Sequence, residues 1–197
     1  MGKARAKQLT TADLVLLSLL AERRMHGYQA NAELERREAR DWAGISRPQI
    51  YYSLEKLAEL RFLKAERAKG KSAGPERQTY SVTAKGKIAL ASALEKEHWC
   101  VQRERPAFLT WMALSWQAGK EVFERQLERR RKFLTAESDR ERKTLAEILK
   151  EVGHPYHEAV WMVELMISGF ENELRWLARV ASEANLRGRA RNPAIIE

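Results

Sequence analysis

The stretch from Ile45 to Leu63 (ISRPQIYYSLEKLAELRFL) constrains the fold more than any other segment of the chain. Ser46 followed three residues later by Gln49 is the pattern of a capping box. In that arrangement the Ser hydroxyl accepts from an unpaired helix amide and the Gln side chain returns to the cap backbone. One face of the following turns is apolar, with Ile50, Leu54, Leu57 and Ala58. The pattern predicts an amphipathic helix with a defined start and a packed inner face.

The other face of this predicted helix carries side chains with hydrogen-bond donors: Arg47, Gln49, Tyr52 and Lys56. A short helix that leads with its N-terminus and presents donors fits the major groove of DNA. An ordinary surface helix has the same amphipathic pattern, so the neighbouring segments must decide between the two interpretations.

Two predicted helices precede this segment. The first contains Leu14, Leu17 and Leu20 at helical spacing. After a tight corner at Gly27, the second is predicted to run from about residue 28 to residue 40. Residues 41–45 then form a turn into Ser46. Two helices, a short turn and a capped third helix predict a helix-turn-helix.

A β-hairpin is predicted directly after the capped helix. Residues 64–68 and 78–83 have strand character, and the loop between them is rich in Gly, Lys and Ser. Its cations are Lys69, Lys71 and Arg77. A solvated basic hairpin would have the same composition, but its place after the helix-turn-helix favours a two-stranded wing that contacts DNA phosphates.

The second half of the chain is predicted to be all-helical. A long charged helix spans 121–152, with a sparse apolar stripe of Val122, Leu127, Leu134, Leu145 and Ile148. The final helix has a coiled-coil seam with alternating spacings of three and four, formed by Val160, Val163, Ile167, Phe170, Leu174 and Leu177. The helix over 121–152 could cover this seam, but its stripe is thin. We therefore expect a second subunit to complete the packing, which predicts a homodimer.

The positive charge of the chain is unevenly distributed. Lys and Arg number 36 against 27 Asp and Glu, and residues 1–100 hold 19 basic against 12 acidic side chains. This asymmetry favours a module for a polyanion joined to a more neutral second domain. One cysteine excludes an intrachain disulfide, and no apolar run reaches the ~20 residues that span a bilayer. These features predict a cytoplasmic protein without a membrane partner.

Several of these residues resemble the PadR family of bacterial transcription regulators. The resemblance rests on His26, Gly27, Tyr28, Trp42, Ser46, Tyr51, Leu54, Leu57, Pro75, Arg77, Tyr80, Val82, Thr83 and Gly86. It implies a homodimer that binds an inverted repeat in a promoter, usually as a repressor, with a helical domain that drives dimerisation. In several relatives a small aromatic or drug-like effector releases the DNA. Tyr52 departs from the pattern, because many relatives have Pro at this position.

The predicted organisation is a flexible basic arm (1–8), a winged-helix DNA-binding domain (9–98), a helical dimerisation domain (99–186) and a flexible tail (187–197). The predicted DNA contacts are Ser46, Arg47, Gln49, Tyr51, Tyr52, Lys56, Lys69, Lys71 and Arg77. Arg47 and Gln49 can pair bidentately with guanine and adenine, each worth ~1–3 kcal/mol of discrimination. Tyr51 lies nearer the buried edge, so it suits either a phosphate contact or a structural role.

An effector pocket could use the tryptophans Trp99, Trp111, Trp116 and Trp161, although core packing is the commoner use of such residues. We predict no catalytic site, metal site or cofactor. His154 and His157 fit the start of a surface helix better than a metal site, and Cys100 fits a buried thiol better than a reactive one. Three alternatives remain: a protein-interaction scaffold, an enzyme or thiol sensor centred on Cys100, and a nonspecific architectural DNA binder.

Overall fold

The structure, a computed structural model, describes residues 8–67, 78–102, 104 and 106–187. The chain divides into an N-terminal unit, Met1–Arg103, and a C-terminal unit, Glu104–Glu197. The predicted fold class is confirmed: it is mainly α, with a winged helix-turn-helix followed by a helical C-terminal part.

The N-terminal unit contains six helices and three strands among its described residues. They are α1 (Thr11–Glu22), β1 (Met25–His26), α2 (Gly27–Arg36), α3 (Ala39–Ala43), α4 (Arg47–Glu59), β2 (Leu63–Arg67), β3 (Gln78–Val82), α5 (Ala84–Leu94) and α6 (His98–Val101). The core lies between α1, α2, α4 and the strands, and its largest fully buried side chains include Leu16, Leu17, Leu54, Leu57 and Tyr80. The inner face predicted for the capped helix is therefore confirmed.

The sheet has one strand more than the predicted two-stranded wing. Its strand order is β1-β3-β2, with both pairs antiparallel. Met25 pairs with Tyr80, and both side chains are buried. We predicted only a tight corner at Gly27 in this segment, and a two-residue strand gives no periodic signal that would predict it. This strand attaches the wing to the helices.

The second helix is shorter than predicted. It ends at Arg36, and Glu38 then adopts a left-handed conformation with φ of 51°. The short helix α3 follows, and its Trp42 indole donates a hydrogen bond to the Arg37 carbonyl oxygen at 2.8 Å. A positive φ breaks the helix without a Gly or Pro in the sequence, which is why the helical pattern was predicted to continue to residue 40.

The described part of the C-terminal unit is built from α7 (Ala107–Leu114), a 3₁₀ turn (Ser115–Gln117), α8 (Lys120–Val152), α9 (Glu158–Glu183) and a second 3₁₀ turn (Ala184–Leu186). The long charged helix is thus confirmed, and α9 packs along it. Arg130 on α8 makes a bidentate ion pair with Glu173 on α9, at 2.7 and 2.8 Å. Gly153, with φ of 79°, ends α8 and lets the chain turn back.

The seam of α9 is covered within one chain. Val160, Val163, Ile167 and Leu177 are buried, and Phe170 and Leu174 are partly buried. The expectation that a second subunit covers the seam is therefore wrong for the four buried side chains. The stripe of α8 is more complete than its aliphatic residues suggested, because the buried residues of α8 are Phe123, Leu127, Leu134, Ser138 and Glu141. Two polar residues in this series made the stripe look thin in the sequence.

Candidate nucleic-acid interface

The start of α4 is organised by the predicted capping box. The side-chain oxygen of Gln49 accepts hydrogen bonds from the Ser46 amide at 2.7 Å and from the Ser46 hydroxyl at 2.8 Å. Gln49 is exposed, and its amide nitrogen is the donor it can offer to a ligand. A bidentate contact with adenine also needs the oxygen, so such a contact would compete with the cap.

The exposed face of α4 is divided along the helix axis. Arg47, Gln49 and Tyr52 are exposed in its first two turns, and Tyr52 is 62% exposed. Glu55 and Glu59 are exposed farther along. Phosphates would be repelled by these two carboxylates, whereas the N-terminal half presents donors together with the positive end of the helix dipole. The helix is therefore suited to approach a polyanion with its N-terminus first.

Tyr51 supports the base of this surface. Its side chain is half-buried against the core, and the Arg47 guanidinium lies 5.8 Å from its ring centroid. A cation–π contact at such a site is worth about 0.5–1 kcal/mol. This contact restrains Arg47 near the helix start, which agrees with the structural role considered for Tyr51.

Lys56 is not on the outer face, contrary to the prediction. Its side chain is 8% exposed, and its ammonium group pairs with the fully buried carboxylate of Asp13 on α1. Lys56 lies two turns after Gln49 on nearly the same face of α4. The helix α1 packs against α4 and covers this face after the first turns of α4. We therefore remove Lys56 from the predicted DNA contacts. Asp13, which the sequence analysis missed, was the available signal: a carboxylate within a leucine-rich stripe needs a cationic partner.

The other predicted cations, Lys69, Lys71 and Arg77, lie outside the described residues. The strands β2 and β3 that flank them form the antiparallel hairpin expected of a wing. On the far side of β3, His26 stacks on Tyr28 with ring centroids 5.6 Å apart, and its Nδ1 lies 3.1 Å from the Thr79 hydroxyl. The His26–Tyr28 segment thus joins the start of α2 to the wing.

The four tryptophans proposed for an effector occupy different surroundings. Trp111 stacks with Phe108 and Phe123 and lines a groove of about 400 Å³ in the C-terminal unit. Arg130 lies over Phe108, 5.2 Å from its ring centroid, and forms part of the same groove. Of the four tryptophans, Trp111 is the one that lines this groove in the described part of the chain. The other three are more exposed: Trp99 44%, Trp116 56% and Trp161 52%.

Two histidines lie in the turn before α9, and the single cysteine lies in α6. The Nδ1 atoms of His154 and His157 accept from the amides of Tyr156 and Ala159 at 3.2 and 3.1 Å, and His157 caps α9. This agrees with a surface helix start. Cys100 is exposed, not buried as we expected. In the described ranges, no helix has the length and apolar character needed to cross a membrane.

The helices α2 to α4 with the hairpin β2–β3 define the N-terminal unit as a winged helix-turn-helix, a class found in transcription regulators. Residues 16–92 match the Transcriptional regulator PadR-like family. Over these residues the chain is similar to that family of transcription regulators.

Solved structures agree in fold. Bacillus subtilis PadR in complex with operator DNA is 14% identical with a TM-score of 0.75, over 90% of this chain and 99% of that one. The same protein in complex with p-coumaric acid is 14% identical with a TM-score of 0.76, over 89% and 99%. A PadR-like regulator from Bacillus cereus is 16% identical with a TM-score of 0.68, over 89% and 99%. No curated protein sequence matched the chain.

Proposed function

We propose that the chain is a sequence-specific DNA-binding regulator that represses promoters by binding an inverted repeat as a homodimer. The observation that carries this proposal is the exposed, capped N-terminal half of α4, which presents Arg47, Gln49 and Tyr52 together. The complex of Bacillus subtilis PadR with operator DNA supports it, because that protein shares the fold.

In the proposed mechanism, α4 enters the major groove with its N-terminus first. Arg47 pairs with a guanine edge, Gln49 contacts an adenine edge and Tyr52 packs against the neighbouring base or sugar. The cations of the wing contact phosphates, which set affinity and register but carry no sequence information. In a dimer that reads one face of the DNA, the two copies of α4 lie about one helical turn, ~34 Å, apart.

The proposal is tested by the affinity of the purified protein for DNA upstream of its own gene and for scrambled DNA, across a salt series. The key variant is Gln49→Glu, because a carboxylate keeps the oxygen that caps Ser46 but lacks the amide donor. We expect the preference for the upstream DNA to fall about 10-fold or more, with thermal stability unchanged. Gln126→Glu, which adds the same charge on α8, is the matched control and should keep the preference.

Three other outcomes would oppose the proposal. Equal affinity of the wild-type protein for both DNAs, with a steep salt dependence, would indicate a nonspecific architectural binder. Absence of binding at low salt would favour a protein-interaction scaffold instead. Loss of DNA binding in Cys100→Ser would favour an enzyme or thiol sensor centred on Cys100, and retained binding would dismiss it.

The seam of α9 is covered within the chain, so we propose that the homodimer forms through the exposed face of α9 instead. Trp161 and Leu165, one turn apart, are 52% and 76% exposed, and a second copy of the chain would remove both from water. We expect Leu165→Glu to shift the protein from dimer to monomer in sedimentation experiments without lowering its helix content. Tyr156→Ser, at an equally exposed position before α9, is the control. A Leu165→Glu protein that remains dimeric would refute this assignment.

A small planar effector is proposed for the groove beside Trp111, where Phe108, Phe133 and Arg130 supply aromatic and cationic walls. The complex of Bacillus subtilis PadR with p-coumaric acid supports an aromatic acid as the first probe. We expect p-coumaric acid to quench tryptophan fluorescence and to weaken binding to the upstream DNA. Trp111→Leu should abolish both effects and Trp99→Leu should preserve them. Effects that survive in Trp111→Leu would place the effector elsewhere.

A further inference from the structure

The ion pair between Asp13 and Lys56 joins α1 to the middle of α4. Asp13 is fully buried, Lys56 is 8% exposed, and the same ammonium group also donates to the Gln8 carbonyl oxygen at 3.3 Å. The Oδ2 atom of Asp13 also accepts from the Thr10 amide at 2.7 Å. The carboxylate therefore caps α1 and contacts α4 with the same oxygen atom.

Asp13 is held in its charged form. Burial by itself raises the pKa of this carboxyl group, but hydrogen bonds from Lys56, from the Thr10 amide and from Ser53 outweigh burial and lower the pKa below its ordinary value. The contact of Asp13 with α4 is the hydrogen bond and ion pair that Lys56 makes with Oδ2. Ser53 lies one turn before Lys56 on the same helical face.

The apolar packing around the pair sets which face of α4 points inward, because Leu54 and Leu57 are fully buried in one core with Leu17 of α1. Burial of apolar surface is non-directional, so it tolerates small rotations and shifts of the helix. A charged hydrogen bond is directional and requires a defined distance. A small rotation of α4 would therefore separate the ammonium group from Asp13 and leave both buried charges without their partner.

We propose that Asp13 and Lys56 are positioning residues that set the rotation of α4, and through it the direction in which Arg47, Gln49 and Tyr52 face the DNA. This inference rests on the proposed function as a sequence-reading regulator. The pair itself touches no base. It limits the recognition helix to one orientation, so that the donors at its start meet the base edges in a fixed register.

The test uses the full chain with the double substitution Asp13→Asn and Lys56→Met. Asn keeps an oxygen for the Thr10 amide and Met keeps the length of the Lys side chain, so both charges are removed with little change in shape. Replacement of a buried ion pair by uncharged groups is often neutral for stability. We expect cooperative thermal unfolding near the wild-type midpoint, together with a fall of about 10-fold in the preference for upstream over scrambled DNA. Affinity for scrambled DNA should stay the same.

The control is Glu22→Gln with Arg37→Met, which removes an ion pair of 2.6 Å between α1 and the end of α2. It also removes the contact of Arg37 with Glu33 at 2.8 Å, and neither contact involves α4. It should keep the wild-type preference. A double variant of Asp13 and Lys56 that folds and keeps the preference would overturn the inference, as would a parallel loss of affinity for both DNAs. If that double variant does not fold, the test uses Lys56→Arg instead. The guanidinium is bulkier and planar, so we expect the preference for upstream over scrambled DNA to fall about 3-fold. An unchanged preference would overturn the inference. A wild-type protein without any preference would instead refute the proposed function.

Discussion

Gly86 provides a quantitative test of the packing in the N-terminal unit. It lies in the first turn of α5, where its amide donates to the capping hydroxyl of Thr83 at 3.0 Å. A Cβ atom at this position would lie 2.3 Å from the Phe62 carbonyl oxygen and 2.9 Å from Val82 Cγ2. To reach even 3.0 Å, the Phe62 oxygen must move by about 0.7 Å. That oxygen accepts from the Thr83 amide at 2.9 Å, so the movement also weakens the link between β2 and α5.

The magnitude follows from these contacts. Overpacking of this kind costs about 1–3 kcal/mol, and a weakened backbone hydrogen bond adds about 1 kcal/mol. The better helix propensity of Ala offsets up to about 1 kcal/mol. We therefore expect Gly86→Ala to lower the free energy of unfolding by about 1–4 kcal/mol. For a unit of this size each kcal/mol shifts the melting temperature by roughly 4–8 °C.

The assay is thermal unfolding followed by circular dichroism, with Gly169→Ala as the control. Gly169 lies inside α9 with no atom within 4 Å of its added Cβ, so the same substitution should stabilise that helix by about 0.5–1 kcal/mol. The reasoning is refuted if Gly86→Ala melts at or above the wild-type temperature, since the Phe62 oxygen then yields without cost.

Two further predictions concern stability. Glu33 accepts hydrogen bonds from Arg36 and Arg37 that lower its pKa to about 2 from 4.5, so it stabilises the fold above pH 4.5 and loses this contribution as the pH falls toward 2. The melting temperature of the wild-type protein, measured as the pH is lowered, should fall by the equivalent of about 1 kcal/mol after solvent screening. The melting temperature of Glu33→Gln should depend less on pH, and identical pH profiles for the two proteins would contradict this assignment. Leu134→Ala, at a fully buried position between α8 and α9, should cost about 2–5 kcal/mol in chemical unfolding. Leu109→Ala, at a position 55% exposed on α7, should cost under about 0.5 kcal/mol, and similar costs for both would disagree with their different burial.

The helix α4 shows how far the sequence determines a candidate site. The capping residues Ser46 and Gln49 and the apolar positions of α4 follow from local rules about helix starts and period, and the structure agrees with both. Lys56 could not be placed in this way. The period gives its direction around α4, but not where α1 crosses that face, which depends on contacts with residues about 40 positions away.

The final helix illustrates a second limit. Its heptad spacing required a partner, but the spacing contains no information on whether the partner belongs to the same chain. Phe123 lies outside the aliphatic stripe that we assigned to the long helix, and Glu141 lies in its polar middle. Because both are buried, α8 covers more of α9 than hydrophobicity along its sequence indicates.

The closure of the α9 seam within one chain has a consequence for how the protein is made. The helical hairpin of α8 and α9 acquires its core as soon as both helices have left the ribosome, without waiting for a second polypeptide. Its core should then stay folded when dilution separates the subunits, unlike that of an obligate dimer, in which folding and assembly are a single equilibrium. Mutations on the outer surface of α9 can accumulate or change the choice of partner while the hairpin stays folded, so paralogous copies in one cell can diverge in pairing without first losing their structure.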